Sequence, residues 1–323
     1  MAFRQSRKSA IRLVFTIPLL SALLGFPSAI AGAPSAAAGG QLKAKFTNAA
    51  AFDVSSPLLT LAPARHPAAS SSAVRELRPD RGPAISPNGH RADGALQSSP
   101  AVVATIPATG ANFEGISNQD NFNVFGFRVN PPDSNGEVGP NHYVEMINLL
   151  FAVYSKSGTL LLGPVDTGTL WTGFAVPDCT DPSGDPVVVY DQLADRWILS
   201  QFTTRGPTYY DCVAISTTGD PTGSYYRYAF STGLNFPDYP KYGVWTDSYV
   251  ITTREFGPTV EYGIGVYALE KNKMINGLPG ARVASFFLDG NAPGMLPLVG
   301  DGLLPADIDG KQKPMLDAKI PLV

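Results

Sequence analysis

Cysteine and histidine are almost missing from this 323-residue chain, which has two of the first and three of the second. A Cys- or His-rich zinc centre, which needs three or four such ligands, is thereby excluded. His66 and His90 lie in a linker-like stretch with no metal-ligand spacing around them, so any nucleophile–histidine triad would depend on His142 alone. Long apolar runs are missing too. The longest, Leu13 to Phe26, contains Pro18 and is too short to span about 30 Å of hydrocarbon. With 32 Gly and 29 Pro, no helical stripe runs uninterrupted for more than two turns beyond that point, which removes all-helical folds. No G-x-S-x-G elbow, Walker loop, H-E-x-x-H segment or Asp-box occurs, so the familiar signatures of hydrolases, nucleotide-binding proteins and sialidases are absent.

What is present is a period. Asn141-His142-Tyr143-Val144, Asp195-Arg196-Trp197-Ile198 and Asp247-Ser248-Tyr249-Val250 share one pattern, a polar residue, any residue, an aromatic and a β-branched residue. Their aromatics fall 54 and 52 residues apart. After each comes a second apolar run (Phe151 to Tyr154, Cys212 to Ser216, Gly265 to Leu269), a turn rich in Gly, Lys or Pro, and a third run (Thr159 to Leu162, Tyr225 to Phe230, Arg282 to Leu288). A β-meander repeated about every 53 residues predicts an all-β, propeller-like array in which each unit buries its apolar face against a neighbour. Tyr143, Trp197 and Tyr249 then read as core residues at equivalent positions, with a set of sugar platforms as the alternative. Trp171 and Trp245 stand off the repeated position and are the expected exposed aromatics. Phe122, Val124, Phe127 and Val129 nearly alternate before Pro131-Pro132 and predict an early edge strand.

The composition divides the chain. Residues 1–112 hold eleven Lys and Arg against four Asp and Glu, and the rest hold thirteen against twenty-three, a net charge of −10. So acidic a surface repels phosphate backbones and anionic lipid, so nucleic acid and membrane surfaces are not expected partners. Arg4, Arg7, Lys8 and Arg12, the apolar Leu13 to Phe26 and the small residues Ala29-Ile30-Ala31 compose an export signal over 1–31. A spacer rich in Ala, Ser and Pro follows over 32–112, expected to be disordered, with Phe46, Phe52 and Leu58 to Leu61 as a short docking strand at most. The repeat domain occupies 113–323.

Three motifs carry a resemblance. Pro131-Pro132-Asp133-Ser134-Asn135-Gly136-Glu137-Val138-Gly139-Pro140-Asn141-His142-Tyr143, then Gly184-Asp185-Pro186 leading through Val189-Tyr190-Asp191 to Asp195-Arg196-Trp197, then Cys212-Val213-Ala214-Ile215-Ser216 with Gly219-Asp220-Pro221-Thr222-Gly223 and Tyr225 to Tyr228. Over about Pro131 to Asp309 the chain resembles a group of uncharacterised exported bacterial proteins. The resemblance implies secretion and a propeller-like β domain, and it implies no reaction. Relatives continue with strand-rich sequence where Lys311 to Val323 shows no alternation, so an array incomplete at its C-terminus, with a loose tail, is the expectation.

Candidate site residues follow from chemistry. Cys179 and Cys212, an even pair in an exported chain, are expected to form one disulfide. Asp133, Asn135 and Glu137 place oxygen-bearing side chains at alternate positions around Gly136, which suits a structural Ca²⁺. Asp178, Asp181 and Asp185, and Asp307 with Asp309, are weaker versions, and all are also ordinary turn residues. Glu137, Asp191, Glu255 and Glu261 are the carboxylates on which a glycosidase could draw, since such chemistry needs two acids about 5–10 Å apart. The sequence therefore predicts a secreted or periplasmic binding or structural module for a glycan or a cell-surface protein, with a carbohydrate-active hydrolase as the alternative.

Overall fold

The computed structural model describes residues 42–61, 74–77, 108–258, 260–292, 302–310, 312–315 and 317–323. The expected export signal over 1–31 lies outside them, as does most of the expected spacer. Along the chain come β1 (Lys45–Asn48), β2 (Ala51–Val54), β3 (Val74–Glu76), helix α1 (Asn118–Phe125) and β4 (Arg128–Asn130). Three sets of four strands follow. They are β5 (Asn135–Val138), β6 (His142–Ile147), β7 (Leu150–Ser155) and β8 (Leu160–Asp166); β9 (Val187–Asp191), β10 (Arg196–Phe202), β11 (Tyr209–Ser216) and β12 (Tyr225–Gly233); and β13 (Phe236–Val244), β14 (Ser248–Phe256), β15 (Gly263–Glu270) and β16 (Arg282–Asp289). A short helix, α2 (Lys271–Ile275), precedes β16. Each set is an antiparallel meander with its strands side by side in chain order, so the protein is all-β with three principal sheets.

The repeated aromatics sit where the period places them. Tyr143, Trp197 and Tyr249 are the second residues of β6, β10 and β14, and each is paired with a residue of the strand before it, Val138, Tyr190 and Val244. Trp197 packs with Val144, Phe151 and Leu199 between the first and second sheets. Tyr249 packs with Ile198, Val213 and Ile251 between the second and third. Because the middle sheet is buried on both faces, its strands hold continuous apolar runs, over residues 187–190, 197–199 and 212–215, rather than an alternation. In β11, Cys212 and Ala214 join the first core while Val213 and Ile215 join the second. Tyr143 has no sheet before it and packs instead against a cap cluster containing Phe125, Leu149 and Tyr154.

Each unit has one more strand than the three the sequence showed. The leading strands β5, β9 and β13 include Asn-Gly-Glu-Val and Phe-Pro-Asp-Tyr-Pro-Lys, whose Gly, Pro and acidic residues have low strand propensity and hide the pattern.

Four expectations are corrected. Phe122 to Val129 is strand only at its end, where Arg128 and Val129 enter β4 and pair with β3; Asn118–Phe125 is helical, started by Ser117, whose N–H and hydroxyl both donate to Asp120 Oδ2 (2.8 Å each). It is stopped by Gly126 in the left-handed conformation, φ 77°. The spacer is not wholly structureless, since β1 adds to the outer edge of β16 and β2 to that of β12. Only Ala49 and Ala50 separate these two strands, so one short segment clasps the second and third sheets together. Arg227 locks the clasp, donating from Nε and Nη2 to the two Asp53 oxygens (2.7 and 2.6 Å) and from Nη1 to the Leu170 and Thr172 carbonyls (2.8 and 3.0 Å).

The C-terminal stretch is a cover rather than a loose tail. Leu303 packs on the outer face of the third sheet, Ile308 N–H donates to the Val244 carbonyl (3.1 Å), and Leu304 and Val323 exchange backbone hydrogen bonds. Trp171 and Trp245 are not exposed: the first is 1% accessible and the second 8%, with its indole N–H on the Ala318 carbonyl (3.2 Å). Cys179 and Cys212 form the expected disulfide, Cα atoms 6.0 Å apart, tying the 3-10 turn at Pro177–Thr180 to β11.

Candidate functional site: a carboxylate cleft at the strand entries

The segments that lead into β5 and β9, and the irregular start of β13, each carry an aspartate at a comparable position in the first strand of their sheet. Asp133 and Asp185 lie five residues before Val138 and Tyr190, the partners of the repeated aromatics. Asp238 lies six before Val244, and a register shift between Asp238 and Lys241 absorbs the extra residue. One carboxylate from each sheet therefore reaches the same end of the array. All three line a cleft of about 600 Å³, together with Tyr239, Arg75 and Arg254.

The backbone here is held in unusual conformations. Asp133, Asp185 and Tyr239 have φ of 38°, 43° and 50°, a region that costs a side-chain-bearing residue roughly 1–3 kcal/mol when it is fixed there. Asn148, wholly buried at the β6–β7 turn, supplies much of the constraint. Its Nδ2 donates to Asp133 Oδ2 (2.6 Å) and to the Pro131 carbonyl (2.8 Å), and its Oδ1 accepts from the Asp185 N–H (2.7 Å). Asp185 Oδ2 accepts in turn from the Tyr239 N–H (3.2 Å). One amide thus sets the first two aspartates, and the second aspartate sets the third turn.

Burial pushes the Asp185 carboxyl up to about 7. The nearby Asp238 and Asp133 charges and a hydrogen bond with Asp133 add to this, and only the Tyr239 N–H pulls the other way. Lys241 is lowered, first by burial and then by Arg254, against the raising influence of the aspartates. Its ammonium lies 3.0 Å from the centroid of the Tyr239 ring, a cation–π contact at the rim. Tyr239 is 48% exposed, the one large aromatic of the cleft that solvent reaches so freely.

The residues expected to bind Ca²⁺ separate. Asp133 enters the cleft. Asn135 sews β5 to β9, donating to the Pro186 carbonyl (2.6 Å) and accepting from the Val188 N–H (2.9 Å). Glu137 points to the other end of the inner strands, where burial raises its carboxyl and Asp309 and Asp307 add to the shift. Among the described residues no group of three or more His, Cys, Asp or Glu side chains is placed to hold a metal ion. Asp178 and Asp181 pair with Arg205, and Asp307 Oδ1 accepts from the Val244 N–H (2.7 Å).

The carboxylates considered for glycosidase chemistry do not gather either. Asp191 is 0% accessible and fully engaged, by Lys271 (2.7 Å), the Tyr249 hydroxyl (2.9 Å) and the Leu193 and Ala194 N–H groups (3.0 and 3.1 Å). Glu255 is buried between sheets, accepting from Asn235, Thr253 and Tyr267. Glu261 is exposed beside a smaller cleft with Tyr209 and Phe256. His142 begins β6 opposite Ser155, a strand position filled by Arg196 and Ser248 in the other units.

Asp238, Tyr239 and Asn148, with the cations Arg75, Lys241 and Arg254, had no place in the reading of the sequence. An Asp beside Pro at a nearly constant distance before each repeated aromatic was the available signal, and the shifted register of β13 blurred it. Asn148 leaves no trace in any motif, because its role lies in contacts with two other turns. Among the described residues no helix is long and apolar enough to cross a membrane. No family model, curated protein or solved structure matches this chain.

Proposed function

We propose that this chain is an exported, propeller-like module that binds a hydroxyl-rich ligand, a glycan, in the cleft at the entries of its inner strands. The observation that carries this reading is the convergence of Asp133, Asp185 and Asp238, one from the same place in each sheet, on a cleft whose rim offers Tyr239. Carboxylate oxygens accept the hydroxyl hydrogen bonds of a sugar, and a half-exposed tyrosine ring offers a flat apolar face for its C–H groups. The disulfide and the signal-like N-terminus support an oxidising, exported setting.

A second reading, a carbohydrate-active hydrolase, is favoured by Asp185. A carboxyl that titrates near 7 beside a second carboxyl is what a general acid requires at neutral pH.

Both readings are tested with purified protein on a glycan array, with and without calcium, followed by assay of reducing-end release. Specific binding by the wild-type protein without release of new ends, lost in Tyr239→Ala, supports the module. Release of new ends that Asp185→Asn abolishes, with binding kept, supports the hydrolase. Absence of both binding and release overturns the assignment of the cleft.

A further inference from the structure

The contact between the second and third sheets carries a buried acid that nothing in the cleft explains. Asp211 lies on β11, on the side of that strand which sends Val213 and Ile215 into the core shared with the third sheet. It is 1% accessible, and among the described residues neither carboxyl oxygen has a hydrogen-bond partner. Its neighbours along the sheet are apolar: Phe202 on β10 and Phe230 on β12 are its register partners. The titratable groups that face it come from the third sheet. They are Glu255 on β14, Tyr242 on β13 and Tyr267 on β15. Glu255 is itself buried and already accepts from Asn235, Thr253 and Tyr267.

Two carboxyl groups buried across one interface cannot both ionise without a large desolvation and repulsion cost. A bound cation could neutralise them, but calcium wants six to eight oxygens. A proton requires no room. We propose that the second and third sheets are locked together by a proton held on Asp211 opposite Glu255, so that the contact is tight in acid and neutral media and loosens when the proton is lost. Burial, reinforced by Glu255, holds the Asp211 carboxyl well above the usual carboxylate range, which agrees with this. The lock lies directly behind the cleft wall, since Phe202 is both the register partner of Asp211 and a cleft residue, its ring 5.0 Å from that of Phe236. It does not depend on what the cleft binds.

The sign follows from linkage. The folded chain keeps a proton that the unfolded chain has released above about pH 4, so stability falls as pH rises, until the folded group itself titrates. The test measures urea unfolding of the wild-type protein and of Asp211→Asn from pH 5 to 8. The ratio of the folding constant of the variant to that of the wild type should rise about tenfold per pH unit, because the amide has no proton to lose. Parallel profiles would overturn the proposal. Should the variant fail to fold, infrared spectra of Asp185→Asn at pH 8 and above decide, since that change removes the cleft carboxyl that also holds a proton near pH 7. A protonated-acid carbonyl band that disappears at the pH where amides of β11 and β14 lose exchange protection is the expected result. Protection unchanged across that titration, or no such band, refutes the lock. Calcium that raises the wild-type midpoint but not that of Asp211→Asn or Glu255→Gln would put a cation in the proton's place and refute it equally.

Discussion

Lys271→Met tests how the second and third sheets are joined at the other end of their interface. Lys271 opens α2 and sends its ammonium 2.7 Å from Asp191 Oδ2, with side-chain accessibilities of 5% and 0%, and it also donates to the Trp245 carbonyl (3.0 Å). At an effective dielectric of about 20, two unit charges at this distance attract by about 6 kcal/mol. Part of that is offset because the lysine no longer has to be desolvated, while methionine keeps an apolar stem but loses the cation–π contact of the ammonium with the Tyr249 ring, 5.3 Å from its centroid. Asp191 retains three hydrogen bonds but is left as a buried charge without its cation. Removing one partner of such a pair typically costs about 3–5 kcal/mol. With a denaturant slope of about 2–3 kcal/mol/M, the urea midpoint of Lys271→Met should drop by about 1–2 M. Adding Asp191→Asn removes the stranded charge, so the double variant should recover about 2 kcal/mol relative to Lys271→Met. A single variant that loses less than about 1 kcal/mol, or a double variant no more stable than the single, would refute the reasoning.

Oxidised protein should titrate no thiol until reduced, and replacing Cys179 and Cys212 by Ser should cost about 3–4 kcal/mol for a loop of this span, a separation of 33 residues. Free thiol in unreduced protein would contradict the bridge. Arg227→Ala strands Asp53 and two carbonyls and should cost roughly 2–4 kcal/mol. Hydrogen exchange should then quicken at Ala51–Val54 while β10 stays protected, and unchanged exchange at β2 would show that the clasp does not depend on this arginine. Asp185 titrates in the folded protein at about 7, above its unfolded value, so its contribution to stability is complete below about pH 4, declines as pH rises towards 7 and is then level. Asp185→Asn should flatten that decline, on the order of 3–4 kcal/mol between pH 4 and 8. Urea midpoints that keep the wild-type slope would place the titrating proton elsewhere.

The sequence alone determined the period, the strand that each repeated aromatic leads, and the partner of each cysteine. These are local or statistical properties: two-residue alternation, β-branched and aromatic enrichment, and an even cysteine pair in a chain with an export-like start. It also carried the aspartates of the cleft, but not their meeting. Asp133 and Asp185 were visible as turn residues, and only the stacking of three meanders brings them to one place, because convergence depends on register between strands that are about fifty residues apart in sequence. The same reason explains the misread segments. Phe46 and Phe52 were expected in a docking strand and do dock, but nothing within Lys45–Val54 shows that it divides between two sheet edges, since the partners of four-residue strands are supplied by β16 and β12. Phe122 to Val129 alternates as a strand would, yet the Ser117–Asp120 start and the Gly126 stop fit a helix that covers the otherwise open face of the first sheet. Asp191, Asp211 and Glu255 are acidic residues of ordinary appearance in the sequence. Their difference, one paired with a lysine from across the interface, one left with its proton opposite Glu255 and one clasped by three donors from its own sheet and the segment leading into it, was decided by tertiary packing.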